Sequence, residues 1–171
     1  MIQDALPKDQ TSLEYLLTPL KEESRIAAVG GCQIAFPFSA RYEQLVRSYN
    51  YPPGSCVWGK EQIGLMGVRA FLLSDVFASY RKSAYLAAGG FDHPILTNED
   101  MLITQRLLDA GFLVVYTADA RVYHSYGFSW MQQYRRDYIV WQTLQRYRAR
   151  FQSVQKYGEG KKLAISVFKT P

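Results

Sequence analysis

The sequence has few cysteines, no long apolar run and no apolar leader. Its 171 residues include two cysteines, Cys32 and Cys56, and neither has a second Cys or His at the spacing of a zinc site. We therefore expect two reduced thiols and no zinc. No stretch reaches the roughly 18 to 20 apolar residues that a membrane-spanning helix needs, and Met1-Ile2 is followed at once by Gln3-Asp4. These absences predict a cytoplasmic protein that does not cross a bilayer.

The remaining composition is that of an ordinary globular chain. Hydrophobic residues make up 48% and charged residues 20%, and a chain of this size buries roughly 70% of its unfolded surface. The charge is uneven, because residues 130–171 carry nine Lys and Arg against two Asp and Glu. This net charge of +7 leaves −2 for the first 129 residues, since the total is +5. We therefore divide the chain into a body, residues 1–129, and a basic tail, residues 130–171, which favours anionic partners.

Hydrophobic spacing predicts alternating helices and strands. The helices are expected over residues 11–23, 39–48, 83–88, 97–111 and 130–151, and the strands over residues 26–29, 71–81, 112–116 and 120–123. Gly30-Gly31 is expected to stop the first strand, and the last twenty residues to be weakly ordered. This alternation predicts an α/β fold.

Adjacent carboxylates, Glu99 and Asp100, open the clearest helix and have two interpretations. Thr97 and Asp100 have the spacing of a capping box, and the helix dipole stabilises each acid in a first turn by roughly 0.3 to 1 kcal/mol. From these residues alone, capping is the stronger interpretation and catalysis the second. His124, at the end of a predicted strand, is either a hydrogen-bonded structural residue or a ligand. Asp4 taken by itself is a solvated charge.

Several short motifs occur together in a fixed order. They are Gln3-Asp4-Ala5-Leu6-Pro7, Tyr49-Asn50-Tyr51-Pro52, Phe77-Ala78-Ser79-Tyr80-Arg81, Gly89-Gly90-Phe91-Asp92, Asn98-Glu99-Asp100 and Val122-Tyr123-His124-Ser125. In this order and spacing the chain resembles the later part of bacterial family 2 glycosyltransferases, and most of all their rhamnosyltransferase-like branch. The resemblance covers residues 3–140.

The resemblance implies a GT-A fold, in which a mostly parallel sheet lies between helices, here with a basic helical tail. It implies sugar transfer from a nucleotide-sugar to an acceptor hydroxyl with inversion. Asp100 matches the catalytic base, which takes the hydroxyl proton, and Glu99 would position substrate. Asp4 and His124 match positions near a divalent cation and the diphosphate, and hard oxygen ligands favour Mg²⁺ or Mn²⁺. The substrate-binding residues are then expected to be Arg81, Gly89, Gly90, Phe91 and Trp130.

The chain departs from the family pattern at its start. The family usually has two acids around one residue, whereas here Asp4 stands alone between Gln3 and Ala5. The nucleotide-binding half that should precede Asp4 is not part of this sequence. The resemblance therefore implies the acceptor-side part of a transferase, as a truncated form, a broken gene product or a remnant.

The basic aromatic tail has two interpretations. It is either a solvated helix packed on the core through Trp130, Tyr134, Tyr138 and Trp141, or an interfacial segment on an anionic membrane surface, which would suit a lipid-linked acceptor. Nucleic acid is not an expected partner, because no recognition motif is present.

Two rival functions remain open at the level of sequence. One is a non-catalytic scaffold or binding module that acts through its basic tail. The other is a glycoside hydrolase, which needs a second carboxylate about 5 to 9.5 Å from the first, and the sequence nominates no clear candidate.

Overall fold

The computed structural model describes residues 5–151, which form a sheet with helices on both faces. Its strands are β1 (Leu6–Pro7), β2 (Ile26–Ile34), β3 (Cys56–Trp58), β4 (Ala78–Tyr80) and β5 (Leu113–Tyr123), and its α-helices are α1 (Ser12–Glu22), α2 (Arg41–Asn50), α3 (Ile63–Met66), α4 (Lys82–Ala87), α5 (Glu99–Asp109) and α6 (Trp130–Arg146). Four 3₁₀ turns lie at Lys60–Gln62, Gly67–Phe71, Asp75–Phe77 and Arg148–Phe151. The predicted α/β class is confirmed.

The sheet is mixed. Its central strand β5 runs parallel to β2 along one edge, while β1 and β3 pair with its other edge in the antiparallel direction. Strand β4 pairs antiparallel with the far edge of β2. The expectation of a mostly parallel sheet is therefore wrong for residues 5–151. The parallel pair β2 and β5 is joined by a long connection that contains helices, as a parallel crossover requires, and the other strands are two- or three-residue segments.

The glycine pair Gly30-Gly31 lies inside β2 and does not end it, so this expectation is wrong. β2 is a nine-residue strand that is buried almost throughout. A Cβ at Gly30 would fall within 2.5 Å of the Leu73 side chain, and one at Gly31 within 2.5 Å of the Ala120 carbonyl oxygen. The two glycines are therefore sites of close packing, where the Leu73 and Phe77 side chains and the backbone of β5 approach the strand.

Strand β5 merges the two strands expected over residues 112–116 and 120–123. Its pairing with β2 steps from Gly31–Thr117 directly to Cys32–Arg121. Residues 118–120 therefore form an irregularity of the β-bulge kind between two regular halves. The predicted interruption exists, but it does not end the strand.

The helix predictions are confirmed apart from their ends. α1, α2, α4, α5 and α6 all occur near their expected positions, and α1 contains Pro19. The extended stretch expected over residues 71–81 is mostly wrong. It contains a 3₁₀ turn, in which the Ser74 hydroxyl accepts a bond from the Val76 N–H, and only Ala78–Tyr80 form a strand.

Two hydrophobic clusters hold the layers together. One lies between α5 and the sheet and includes Phe71, Leu102 and Leu107. The other lies beneath α1 and includes Leu16 and Phe77. Across residues 5–151, no helix is both long enough and apolar enough to cross a bilayer.

The carboxyl ends of β2 and β5 lie at the same edge of the sheet, because these strands are parallel and paired up to Ile34 and Tyr123. From this edge the chain continues into α2 and α6. Ligands of α/β proteins bind at such an edge.

Candidate active site

A cleft of about 680 Å³ opens at this edge. Its walls come from α2, residues 72–76, the start of α5 and the inner side of α6. The charged residues that line it are Glu43, Arg47, Asp75, Glu99, Asp100, Arg136 and Asp137. The cleft therefore brings together side chains from four segments that are far apart in the sequence.

Asp100 lies in the first turn of α5 and lines this cleft. The helix begins after Asn98, which has a left-handed backbone (φ 65°) and makes no side-chain capping hydrogen bond. The capping box predicted from Thr97 and Asp100 does not form. Instead, the Asp100 carboxylate accepts a bond from the Met101 N–H at 2.8 Å. Asp100 is thus available to a ligand in the cleft.

The electrostatic environment of Asp100 favours its protonated form. Burial raises its pKa to about 7, and the negative charges of Asp75 and Glu99 act in the same direction against the hydrogen bond from Met101. A carboxyl group with a pKa near 7 is suited to accept a proton at neutral pH, because it is both available as a base and basic enough to act.

Asp75 is a second, partly buried carboxyl group in the cleft. Burial raises its pKa to about 6, although the hydroxyl of Tyr80 donates to its Oδ1 at 2.5 Å and partly offsets that effect. The pKa of Tyr80 is also raised, first by burial and then by the charge of Asp75. The Tyr80 hydroxyl therefore stays protonated and holds the Asp75 carboxylate in one orientation.

Two guanidinium groups line the opposite part of the cleft. The Arg47 and Arg136 guanidinium carbons lie 5.4 and 4.8 Å from the centroid of the Tyr126 ring. The N–H of Tyr126 donates to Glu43 Oε1 at 2.8 Å, which fixes this segment against α2. The cations of the cleft thus lie on α2 and α6, whereas Asp75, Glu99 and Asp100 lie on the other two segments.

His124 lies behind this wall and is fully buried. Its Nδ1 is 3.0 Å from Gln33 Oε1 and 3.2 Å from Arg47 Nη2. The ring packs edge-on against Tyr126 at a centroid distance of 4.6 Å. The structure therefore places His124 in a hydrogen-bonded network beneath the cleft floor.

Arg81 and the Gly89–Phe91 turn do not line the cleft. The Arg81 guanidinium donates to the Ile26 carbonyl at 2.9 Å and to the Leu20 carbonyl at 2.5 Å, so it ties α1 to the sheet. The Phe91 ring packs against Tyr85 at 5.2 Å. The geometry gives these residues contacts that stabilise the fold.

Trp130 lies beside the rim of the cleft. Its ring is 83% exposed and stacks on Tyr42 at 5.8 Å, and Tyr42 itself lines the cleft. Trp130, one of the residues expected to bind substrate, thus contacts a residue that lines the cleft.

Asp4 and His124 are the two predicted cation ligands, and only His124 belongs to the described residues. Asp4 lies outside residues 5–151, and within that range no group of three or more His, Cys, Asp or Glu side chains is arranged to hold a metal ion. The Arg47 guanidinium beside His124 opposes a cation there.

Several residues of the cleft were not predicted from the sequence, among them Arg47, Asp75, Tyr126 and Arg136. Asp75 had a detectable signal, because it is a lone acid next to the apolar pair Val76-Phe77. The other three residues gave no such signal in the sequence, because their arrangement depends on how α2 and α6 meet across the sheet edge.

Comparisons with known proteins show a relationship to glycosyltransferases. No protein-family model matches the chain. The chain is 31% identical over 136 residues to the O-antigen chain rhamnosyltransferase WbaN of Salmonella anatum, and 29% identical over 136 residues to the O-antigen chain rhamnosyltransferase RfbN of Salmonella typhimurium. Each match covers 80% of this chain and 43% of the relative. The chain therefore spans less than half the length of these relatives, and it is glycosyltransferase-like over four-fifths of its own length.

Proposed function

We propose that this chain supplies the acceptor side of an inverting glycosyltransferase with a GT-A fold of family 2, and that Asp100 is its catalytic base. The observation that carries this proposal is the position of Asp100, a carboxyl group with a pKa of about 7 in the wall of a cleft of about 680 Å³. The donor is a nucleotide-sugar and the acceptor a saccharide or a lipid-linked saccharide. Rhamnose is the proposed sugar, because both relatives are named rhamnosyltransferases.

The reaction is a single displacement. The acceptor oxygen forms a bond to the anomeric carbon while the bond from that carbon to the diphosphate oxygen breaks. The leaving nucleoside diphosphate takes the electron pair, and the acceptor proton passes to Asp100. Attack opposite the leaving group inverts the anomeric configuration.

The neighbouring carboxyl groups have distinct parts in this mechanism. The negative charge of Asp75 raises the pKa of Asp100. This pKa is therefore closer to 7 than burial alone would make it. Glu99 lies in the same first turn and lines the cleft, where it can accept hydrogen bonds from other hydroxyls of the acceptor. Glu99 thus positions the sugar while Asp100 takes the proton.

The proposal includes a divalent cation, Mg²⁺ or Mn²⁺, and Asp4 is its proposed protein ligand. When bound, such a cation would offset the charge that develops on the diphosphate. The described residues do not fit a cation at His124, because the Arg47 guanidinium lies 3.2 Å from its Nδ1. His124 instead orients Arg47 behind the cleft.

The exposed face of α6 suits a peripheral position at the cytoplasmic leaflet. Five large side chains are exposed along this helix: Trp130, Met131, Tyr134, Tyr138 and Trp141. At 100° per residue they fall within one arc of about 100°, while the α6 residues that line the cleft, Gln133, Arg136, Asp137 and Val140, fall in the neighbouring arc of about 100°. Aromatic rings beside arginines are typical of helices that lie in the headgroup region. A lipid-linked acceptor would then reach the cleft along the same helix.

A segment exchange tests the proposed function. The matching 136-residue segment of the Salmonella anatum relative is replaced by that of this chain, and the chimera is assayed with a nucleotide-rhamnose donor and a saccharide acceptor. We expect transfer with the anomeric configuration inverted relative to the donor. Retained configuration, or hydrolysis of the donor without transfer, would contradict the proposal.

A further inference from the structure

The turn at Gly89-Gly90-Phe91 does not line the Asp100 cleft, yet its contacts lead toward the carboxyl groups there. Both glycines have a positive φ, 85° at Gly89 and 66° at Gly90. A Cβ at Gly90 would lie 3.3 Å from the Tyr85 side chain, and the Phe91 N–H donates to the Tyr85 hydroxyl at 3.0 Å. The turn is therefore packed closely against Tyr85.

Three rings, those of Tyr80, Tyr85 and Phe91, form a cluster at the end of strand β4. The Phe91 ring meets Tyr80 edge-on at a centroid distance of 6.0 Å and Tyr85 at 5.2 Å. The centroids of Tyr80 and Tyr85 are 5.8 Å apart. Aromatic pairs in such arrangements attract each other in preferred orientations. Because Tyr80 also pairs with Ala28 of β2, its ring is fixed both by the sheet and by two neighbouring rings.

The Tyr80 hydroxyl reaches from this cluster to Asp75, which lines the cleft. It donates to Asp75 Oδ1 at 2.5 Å. Asp75 begins the short 3₁₀ turn Asp75–Phe77, which the Ser74 hydroxyl caps by accepting a bond from the Val76 N–H. The Asp75 carboxylate is therefore held through its backbone and through its side chain.

The hydrogen bonds of Asp75 and Asp100 come from different kinds of donor. Asp100 accepts from the backbone N–H groups of Met101 and Asp75, whereas Asp75 accepts from the Tyr80 hydroxyl. Burial raises the pKa of both carboxyl groups, and so does the charge of Glu99. The Tyr80 bond lowers the pKa of Asp75, because it favours the ionised form. With pKa values of about 6 and about 7, Asp75 loses its proton before Asp100.

The other charged residues of the cleft lie on α2 and α6. They are Glu43, Arg47, Arg136 and Asp137. Two of these residues are positive and two are negative, so their charges balance. Tyr51 also lines the cleft, and its hydroxyl stays neutral because burial raises its pKa to about 12. Besides burial, the contacts that distinguish the two carboxyl groups are thus the Tyr80 hydroxyl on Asp75 and the charge of Asp75 on Asp100.

We propose that Tyr80 is a positioning residue that holds Asp75 ionised beside Asp100 and so directs the acceptor proton to Asp100. The Gly89–Phe91 turn keeps the Tyr80 ring in place. This inference rests on the proposed function and gives a role in it to a turn outside the cleft. Proton uptake by Asp100 relieves its repulsion from an ionised Asp75. An environment that separates the protonation of two carboxyl groups decides which of them acts as the base.

Carbon-13 NMR titration of the aspartate carboxyl groups in the full chain tests this role without an enzyme assay. Tyr80→Phe keeps the ring and removes the hydroxyl. It should raise the pKa of Asp75 by about one unit and lower the pKa of Asp100, because Asp75 is then less ionised when Asp100 titrates. Tyr15→Phe, which removes a hydroxyl from a half-exposed ring on α1, is the matched control and should change neither pKa.

Asp75→Asn provides a second test of the same pair. It removes the charge that Tyr80 holds beside Asp100, so the pKa of Asp100 should fall. An unchanged pKa of Asp100 in this variant would overturn the inference. Titration curves of Tyr80→Phe that coincide with those of Tyr15→Phe would overturn it as well.

Phe91→Leu tests the part of the turn. It keeps an apolar side chain and removes the ring that meets Tyr80 edge-on. The pKa values of Asp75 and Asp100 should move in the same directions as in Tyr80→Phe, by a smaller amount. Phe38→Leu is the control, because the Phe38 ring is largely exposed. If the two leucine variants titrate alike, the role assigned to the turn is wrong.

The pH dependence of transfer by the chimera gives the catalytic readout. The acid limb of kcat/KM reports ionisation of the base, so Tyr80→Phe should move this limb to lower pH. Its kcat should fall several-fold, because the base is weaker, with an unchanged KM for the donor. A lower kcat with an unmoved limb would indicate a purely structural role for Tyr80 and would overturn the inference. If instead the NMR shifts occur as expected while Asp100→Asn keeps full turnover, the proposed function fails and the coupling of Tyr80, Asp75 and Asp100 stands.

Discussion

Asp75 and Asp100 are carboxyl groups that the fold keeps partly protonated near neutral pH. Their pKa values of about 6 and about 7 arise first from burial, the charge of Glu99 raises both, and the charge of Asp75 further raises the pKa of Asp100. A buried carboxylate costs free energy in the folded state whenever it is ionised. The protein therefore gives up stability at neutral pH to hold two carboxyl groups in the cleft, which is a common property of active sites.

Asp75→Asn is expected to stabilise the protein at pH 8 and not at pH 4. The folded pKa of Asp75 is raised above its ordinary value of 3.8, so the wild type loses stability as the pH rises from about 4 through about 6. The loss remains above that range. The variant has no titrating carboxyl group at position 75. Its free energy of unfolding at pH 8 should therefore exceed that of the wild type by about 1 to 3 kcal/mol.

Urea unfolding at several pH values measures this gain. Asp109→Asn is the matched control, because Asp109 is exposed at the other end of α5. We expect no such gain in the control. A gain in Asp75→Asn that is equal at pH 4 and pH 8 would show that the Asp75 charge is not the cause.

Strand β2 depends on glycine for its packing. A methyl group at Gly31 would collide with the Phe77 ring and would lie 2.5 Å from the Ala120 carbonyl oxygen. Gly31→Ala is therefore expected to destabilise the protein by roughly 1 to 3 kcal/mol, since the backbone of β5 must shift. Gly54→Ala, with open space around the added methyl, should change stability little. Equal stability of Gly31→Ala and wild type in chemical denaturation would contradict this packing.

Helix α6 is expected to bind anionic membranes through its outer face. The wild type should sediment with vesicles that contain anionic phospholipid at low salt and be released at high salt. Tyr134→Ser combined with Trp141→Ser removes two exposed rings and should reduce binding at least several-fold. Gln142→Ser, an exposed change on the same helix, is the control. Unchanged sedimentation of the double variant would refute a membrane role for this face.

At the scale of the whole molecule, local patterns predict the elements better than their arrangement. The period of α5 and the apolar run of β2 are local properties, so both elements were predictable from the sequence. The antiparallel pairing of β1, β3 and β4 depends on contacts between distant segments, and nothing in their short sequences encodes it.

The same distinction explains what was predictable of the site. Asp100 and Glu99 were identified because their motif resembles that of a known family, and both line the cleft. Arg47, Asp75 and Arg136 come from three separate segments, and only the folded chain brings them to one cavity. Arg81 was grouped with the substrate residues by its motif, whereas the structure uses its guanidinium to join α1 to the sheet.

The transfer rate of Asp100→Asn in the chimera with the Salmonella anatum relative is the most direct measurement, with Asp109→Asn as control on the same helix. Loss of a general base should lower kcat by about 10²- to 10⁴-fold with little change in the KM for the donor, and the control should stay within about twofold of the wild type. Turnover of Asp100→Asn equal to that of Asp109→Asn would show that Asp100 does not take the acceptor proton.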